Sequence, residues 1–283
     1  MRYDLHIHTA ASDGSDSPAS LAQKVVEAGL ELFSVTDHDT IDGALAIQAL
    51  IPPGIGYIRG VEFSCVSPGG KCHILGYGFD PEHPAFRAAL LEGAQLRREK
   101  LENRIIHLRE KFGIRLMAEE QQWLHSLKSP GKPHLGKLLV RRGLAEDLST
   151  AIKTYLSGVP GRDRIDSKTA IDAVISAGGL AVWAHPLGGE GEKRLTEREF
   201  EARLAVLLSQ GIQGLECCYS RYSRGESELL LQHARSHGLI ATGGSDYHGN
   251  NKKGIQLGCL GTEMVEWSID TAPFSGIILQ KEG

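Results

Sequence analysis

Arg2-Tyr3-Asp4-Leu5-His6-Ile7-His8-Thr9 opens the chain and decides how the rest is read. Arg2 to His8 reads as a strand. Side chains two apart on a strand face the same way, so His6 and His8 can reach one ion. The strand runs into a polar loop, Thr9 to Ser17. In α/β barrels this C-terminal strand edge is where chemistry is placed. Two histidines on a solvent-facing edge strand would look the same, so the pair is ambiguous alone.

The pattern recurs beside other apolar runs. Leu32 to Thr36 leads into Asp37-His38-Asp39, and Ile58 to Val61 into Glu62. His73 opens the strand His73-Ile74-Leu75-Gly76-Tyr77. Ala181 to Ala184 leads into His185-Pro186, and Ile240 to Ser245 into Asp246-Tyr247-His248. Chance would scatter such residues over helix faces and loops, as it does for His107, His125, His233 and His237. Imidazole with carboxylate and no thiolate suits Zn, Mn or Fe. The ligands are too many for one ion, so two or three divalent ions are expected, with Glu62 bridging. A metal pair lowers the pKa of bound water and clamps a phosphoryl group.

Strands and helices alternate at both ends of the chain, which predicts parallel strands with crossover helices. Pro18 to Ala28 reads as a helix with Pro in its first turn, and Gly56 to Phe63 and Cys72 to Phe79 as strands. From about Pro84 to Leu156 no convincing strand occurs. Ala85 to Lys111 has helical spacing at Leu101, Ile105 and Leu108, and shorter helices are expected from Pro133 to near Gly143 and from Ser149 to Leu156. The organisation expected is a barrel domain from 1–83 and 167–283, interrupted by a small helical cap at 84–166.

The chain's 283 residues, 41% of them hydrophobic, can bury one large core with a small satellite. A net charge of -4 without a polybasic block argues against duplex DNA as partner. No run of apolar residues is long enough for a membrane span. Five cysteines without a C-x-x-C fit neither a disulfide framework nor a zinc ribbon. They point to a reducing cytoplasm.

Asp4-Leu5-His6-Ile7-His8-Thr9 with Ser12-Asp13-Gly14, Val35-Thr36-Asp37-His38-Asp39, Gly60-Val61-Glu62, Ala184-His185-Pro186 and Gly244-Ser245-Asp246-Tyr247-His248-Gly249 resemble the motifs of the PHP (polymerase and histidinol phosphatase) superfamily. They occur in family order over nearly the whole chain. The resemblance implies a distorted (β/α)7 barrel with metals at the strand C-termini. Within the superfamily, the chain is similar to the group with an inserted helical domain, which holds nucleoside 3′,5′-bisphosphate phosphatases and 5′→3′ exoribonucleases. By that resemblance His6, His8, Glu62 and Asp246 hold a first ion, Glu62, His73 and His185 a second, and Asp13, His38 and His248 a third. Asp37 would orient an imidazole from behind.

The resemblance further implies hydrolysis of a phosphate ester, with His185, His248 and Asp246 in the chemistry. Its substrate would be a phosphorylated small molecule such as an AMP-like nucleotide, or short RNA. Family members often carry Arg-Pro-His in the insert where this chain has Lys132-Pro133-His134; lysine keeps the charge but loses the bidentate fork. Lys132, His134, Arg162, Arg164, Lys252 and Lys253 are the candidate phosphate contacts. The alternatives are a histidinol-phosphate-type phosphatase, a metal-dependent amidohydrolase and a non-catalytic, metal-stabilised binding module.

Overall fold

The computed structural model describes residues 1–189, 192–262 and 270–279. Seven strands form a nearly closed barrel in the order β1 (Tyr3–Ile7), β2 (Leu32–Val35), β3 (Gly56–Ser67), β4 (Gly70–Tyr77), β6 (Leu180–Trp183), β7 (Gly214–Tyr219) and β8 (Ile240–Gly244). A two-residue strand, β5 (Ile165–Asp166), hangs on β3 outside this ring. Closure falls just past the ends of β8 and β1. The Asp246 N–H donates to the His6 carbonyl at 2.9 Å, and the His8 N–H to the Tyr247 carbonyl at 2.8 Å.

The ring departs from the all-parallel expectation at β4, which runs antiparallel to both β3 and β6. The loop Pro68-Gly69 is too short for a parallel crossover, so the chain turns straight back. The consequence is functional. His73, near the start of β4, pairs with Ser64 and lies at the same end of the barrel as the C-terminal ends of the parallel strands.

Helices α1 (Pro18–Glu27) and α2 (Asp42–Gln48) cover β1–β3. There Leu21, Val25, Ala44 and Ile47 join Phe33, Val35 and Tyr57 in a buried cluster. Ser17 caps α1 by accepting from the Ser20 N–H, with Pro18 at the first turn as expected. A larger core lies under α7 (Ser167–Ser176), α8 (Glu197–Ser209) and α9 (Arg224–Ser236). The crossover helix α7 was not anticipated, although Ile171 and Val174 on it are fully buried.

Helices α3 (Pro84–Phe112), α4 (Ala118–Ser126), α5 (Lys132–Arg141) and α6 (Leu148–Tyr155) fill the strandless middle of the chain. They carry their own apolar core, which includes Leu101, Leu108, Leu124, Leu135, Leu139 and Leu156. α3 belongs to both parts: Phe86, Ala89 and Leu96 pack into the barrel's core, and Leu101 and Leu108 into that of the helices. One rigid helix thus fixes the helical layer against the barrel rim. Among the described residues, no helix is long and apolar enough to cross a membrane. All five cysteines are unpaired.

Candidate metal centre

The strand ends converge on Glu62, which is 1% exposed. Its Oε2 lies 3.3 Å from His6 Nε2, 3.2 Å from His8 Nε2 and 3.0 Å from His38 Nδ1. Its Oε1 lies 3.0 Å from His73 Nδ1 and 3.2 Å from His185 Nε2. The two oxygens therefore face different histidine sets, as a bridging carboxylate would. Asp246 Oδ1 stands 3.6 Å from His6 Nε2 and 3.4 Å from His8 Nε2. Beyond His8, Asp13 Oδ1 is 3.1 Å from His248 Nε2, and Asp13 Oδ2 is 3.9 Å from His38 Nε2.

These nitrogens do not behave as satisfied hydrogen-bonding groups. His6 Nε2, both ring nitrogens of His8, and His38 Nδ1 are buried without a hydrogen-bond partner. Orphaned buried nitrogens cost free energy unless something fills the gap. Two ligands about 2.1 Å from a common ion stand roughly 3.0–3.4 Å apart, which is the spacing around Glu62. The donor set fits divalent metal ions. His6, His8 and Asp246 converge, as do His38, Glu62 and His73, and His8, Asp13, His38 and His248.

The surroundings aim the ligands. Glu216 on β7 faces His6 Nδ1 at 2.8 Å and accepts the His185 N–H at 2.6 Å. Asp4 accepts from Ser245 N at 2.9 Å and Ser245 Oγ at 2.6 Å, holding the loop that bears Asp246. Burial pushes the Asp4 carboxyl up to about 6 against these hydrogen bonds. His248 Nδ1 lies 2.9 Å from the Asp246 carbonyl, which leaves Nε2 to face Asp13. Asp37 does not orient an imidazole. Its oxygens accept from Thr9 N, Thr9 Oγ1 and Ser12 Oγ at 2.6–2.8 Å, so it shapes the loop after β1 instead.

Among the described residues, only Asp39, His185 and Asp246 combine positive φ (51°, 30° and 56°) with a side chain beyond glycine. All three lie just past strand ends at this site, where strained backbone is tolerated because the surroundings over-determine it. Charge is concentrated here too. Burial opposes ionisation of Glu62, but His38, His73 and His6 hold it well below the usual carboxylate range. Burial likewise opposes a charged His8, yet Asp246 and Glu62 raise it to about 9.

Two cavities open on the centre. The larger, about 540 Å³, is lined by His38, Glu62, His73, His185, Asp246 and His248, with Lys132 and Lys252. The second, about 200 Å³, shares Asp13, His38, His73 and Lys132 with it and adds Lys71, Arg97, Arg104, Arg164 and Asp163, with Asp163 3.3 Å from Arg104 and Asp39 2.5 Å from Arg97. Burial, then the charges of Arg104 and Lys71, pull the Lys132 ammonium below its ordinary pKa. Nε of both Arg104 and Arg164 is buried without a partner.

Of the expected phosphate contacts, Lys132, Arg164 and Lys252 line these cavities, and Lys252 Nζ also sits 2.5 Å from Asp246 Oδ2. Three do not reach them. His134 is buried, and its Nδ1 accepts the Gly131 N–H at 3.1 Å at the start of α5. Arg162 turns outward to Glu92 at 3.1 Å. Lys253 lines a separate surface groove with Arg2 and Lys24.

Sequence reasoning missed Glu216, Glu192 (Oε2 3.2 Å from His185 Nδ1), Arg97 and Arg104. Glu216 had a signal: a lone charge inside the apolar strand Gly214–Tyr219 needs a buried partner. Arg97 and Arg104 had none, being two cations on a charge-rich helix.

The PHP domain family profile matches residues 4–157, more than half of the chain. This chain belongs to the PHP family. A 3′,5′-nucleoside bisphosphate phosphatase of Chromobacterium violaceum is 31% identical to this PHP protein over 264 residues, covering 90% of each chain. A 5′-3′ exoribonuclease of Haemophilus influenzae is 31% identical over 252 residues, covering 87% of this chain and 90% of its own. A solved structure of an amidohydrolase from Chromobacterium violaceum, with bound sulfate and no metal, superposes with a TM-score of 0.77 at 28% identity over 88% of each chain. The nearly closed barrel is thus the distorted (β/α)7 barrel of PHP phosphoesterases. The PHP protein is a metal-dependent phosphoester hydrolase, and its histidine–carboxylate cluster is where divalent metals fit.

Proposed function

We propose that the protein hydrolyses nucleotides that carry two phosphates flanking one nucleoside. Nucleoside 3′,5′-bisphosphates and the 5′ end of phosphorylated short RNA both present that pattern. The observation that carries this reading is the basic cavity of Lys71, Arg97, Arg104, Lys132 and Arg164 beside His38 and His73. One phosphate ester would be cut at the metal centre while the other is held among those cations. The relatives named as a bisphosphate phosphatase and an exoribonuclease support the same substrate class.

Histidinol phosphate, with one phosphate and a cationic amine, suits that cavity poorly. A purely structural metal site needs no open coordination position, and this centre opens on a cavity of about 540 Å³. Both observations favour a nucleotide phosphoesterase. The helical layer α3–α6 supplies Arg97, Arg104 and Lys132, so residues 84–166 act as a cap that selects the substrate.

In this reading His6, His8, Glu62 and Asp246 hold one ion, Glu62, His73 and His185 a second, and Asp13, His38 and His248 a third. Such ions, of Mn, Fe or Zn, acidify water and neutralise charge on a transferring phosphoryl group. The chain's own part is positioning and proton handling. Asp246 stays ionised: although burial opposes it, Lys252, His248 and His6 hold its carboxyl well below the usual range. Of the residues proposed for proton delivery to the leaving oxygen, His185 could serve only while unbound to the second ion, because with Nε2 toward that ion and Glu192 behind its Nδ1 it would have no proton to give. His248 has Nδ1 at the Asp246 carbonyl and Nε2 at Asp13.

Metal-loaded protein assayed in parallel on adenosine 3′,5′-bisphosphate, a 5′-phosphorylated trinucleotide and histidinol phosphate tests the proposal. Turnover of the first two, abolished by His6→Ala and by Asp246→Ala, is expected. Preference for histidinol phosphate would overturn it.

A further inference from the structure

The helical layer presents an aromatic patch beside the metal centre. Trp123 on α4 is half-buried, with the His134 ring edge-on at 6.0 Å and the Arg141 guanidinium 5.6 Å from its centroid. Trp123 and Arg141, with Lys137, Val140 and Leu148, line an apolar-walled cavity of about 360 Å³. Leu148 is a wall common to this cavity and to the metal-centre cavity. The patch therefore adjoins the cavity of the metal centre at Leu148.

We propose that this patch binds a nucleobase of single-stranded RNA, from the nucleotide next to the one whose phosphate lies at the metal centre, stacked on Trp123. The inference rests on the nucleotide reading above and extends it beyond a single nucleoside. An aromatic face accepts any base, since every base has a π-face, and flanking cations meet the backbone phosphate. Lys137 and Arg141 are those cations. Arg141 already lies over the indole, as guanidinium groups do on aromatic faces, and can be exchanged for a base while its charge stays near the phosphate. A nucleoside bisphosphate would lie in the metal-centre and basic cavities, on the near side of the Leu148 wall. Only a longer strand reaches Trp123.

The test compares the holoenzyme with Trp123→Ala, Trp123→Phe and Lys137→Gln on adenosine 3′,5′-bisphosphate and on the 5′-phosphorylated trinucleotide pApApA. Trp123→Ala is expected to raise KM for the trinucleotide about tenfold, with kcat and the bisphosphate KM little changed. Trp123→Phe should retain most of the affinity, because it keeps an aromatic face. Lys137→Gln should raise the trinucleotide KM and flatten its salt dependence. Binding is read separately by fluorescence with a phosphorothioate-linked trinucleotide that turns over slowly. In a Trp267→Phe background, which removes the third tryptophan, the protein should be quenched and its Trp123→Phe derivative much less so, since Trp183 is buried.

An unchanged trinucleotide KM in Trp123→Ala, without quenching in the Trp267→Phe protein, would overturn the inference and leave the patch to a protein partner. Equal losses on both substrates, unrescued by phenylalanine, would make Trp123 a structural prop and overturn it as well. Failure of wild type on the bisphosphate and the trinucleotide alike would instead refute the nucleotide reading itself.

Discussion

Glu216 on β7 reaches past β8 to His6 on β1, with Oε1 2.8 Å from Nδ1 and neither side chain exposed to solvent. The contact fixes which nitrogen of His6 points at Glu62. It also raises the basicity of the imidazole, as a carboxylate behind a metal-binding histidine does. Glu216→Ala is expected to weaken metal binding by about 10–100-fold, and Glu216→Gln by less, because the amide can still accept from Nδ1. Titration of chelator-treated protein with Mn or Zn, followed by calorimetry, measures it. Affinity equal to wild type in both variants would remove Glu216 from the metal site.

Lys132, at the start of α5, and Arg164, at the end of the insertion, meet in one basic cavity. Hydrogen bonds to charged groups are worth about 1.5–3 kcal/mol. Each alanine substitution should therefore lower kcat/KM for a nucleoside bisphosphate by roughly 10–100-fold, mostly through KM. Lys132→Arg, which supplies the bidentate fork common in the family, should hold or improve KM. Steady-state kinetics at fixed salt decides this, and an unaltered KM in Lys132→Ala would move the second phosphate elsewhere.

Protons and metal ions compete for the same nitrogens. In the metal-free site burial disfavours charged histidines, but Asp246 and Glu62 raise His8 to about 9, and Glu192 and Glu62 raise His185 to about 10. A histidine raised in this way stabilises the apoprotein fully below the ordinary histidine pKa, and that stability is lost as pH climbs through the raised value. Metal binding must displace these protons, so metal affinity rises over the same interval. The Tm gap between metal-loaded and chelator-treated protein should widen from about pH 6 to about pH 9. A gap that stays constant or shrinks would mean that these histidines bind no metal.

Gly244 ends β8 directly over His6. A β-carbon placed there would stand 2.2 Å from the His6 β-carbon and 2.6 Å from its backbone nitrogen. Since backbone cannot yield as a flexible side chain can, Gly244→Ala should cost about 1–3 kcal/mol or more. It should also displace His6 and reduce metal uptake. Denaturant unfolding together with metal analysis tests both effects, and wild-type stability would show that the seam between β1 and β8 is looser than described.

Much of the site was legible because strand ends write their ligands in a regular place. His6, His8, Glu62, His185, Asp246 and His248 stand in or beside the predicted strands, mostly just past an apolar run, and the structure gathers them around Glu62 and Asp246. Asp13 and His73 were harder. Asp13 lies in a loop and was found through the family motif. His73 begins its strand, and only the antiparallel course of β4 carries it to the active end of the barrel. The helices of the insertion were readable from their spacing, save α4, but which of their cations face the centre was not. Arg97 and Arg98 are neighbours of one residue type, yet Arg97 is turned inward to Asp39 at 2.5 Å and lines the basic cavity.

By itself, then, the sequence determined where most of the barrel's strands lie, the ligand types and the metal-dependent character of the site. Apolar runs and the residues that end them are local features, written in consecutive positions. The tertiary structure decided what depends on positions far apart in the chain. It placed Glu216 behind His6 and Glu192 behind His185, and it sent Asp37 to the β1 loop instead of to an imidazole. It also separated Lys132 and Arg164 from His134, Arg162 and Lys253. Charge alone cannot make that separation, because a cation's role follows from the cavity it faces, and a cavity exists only once α3–α6 have packed on the barrel rim.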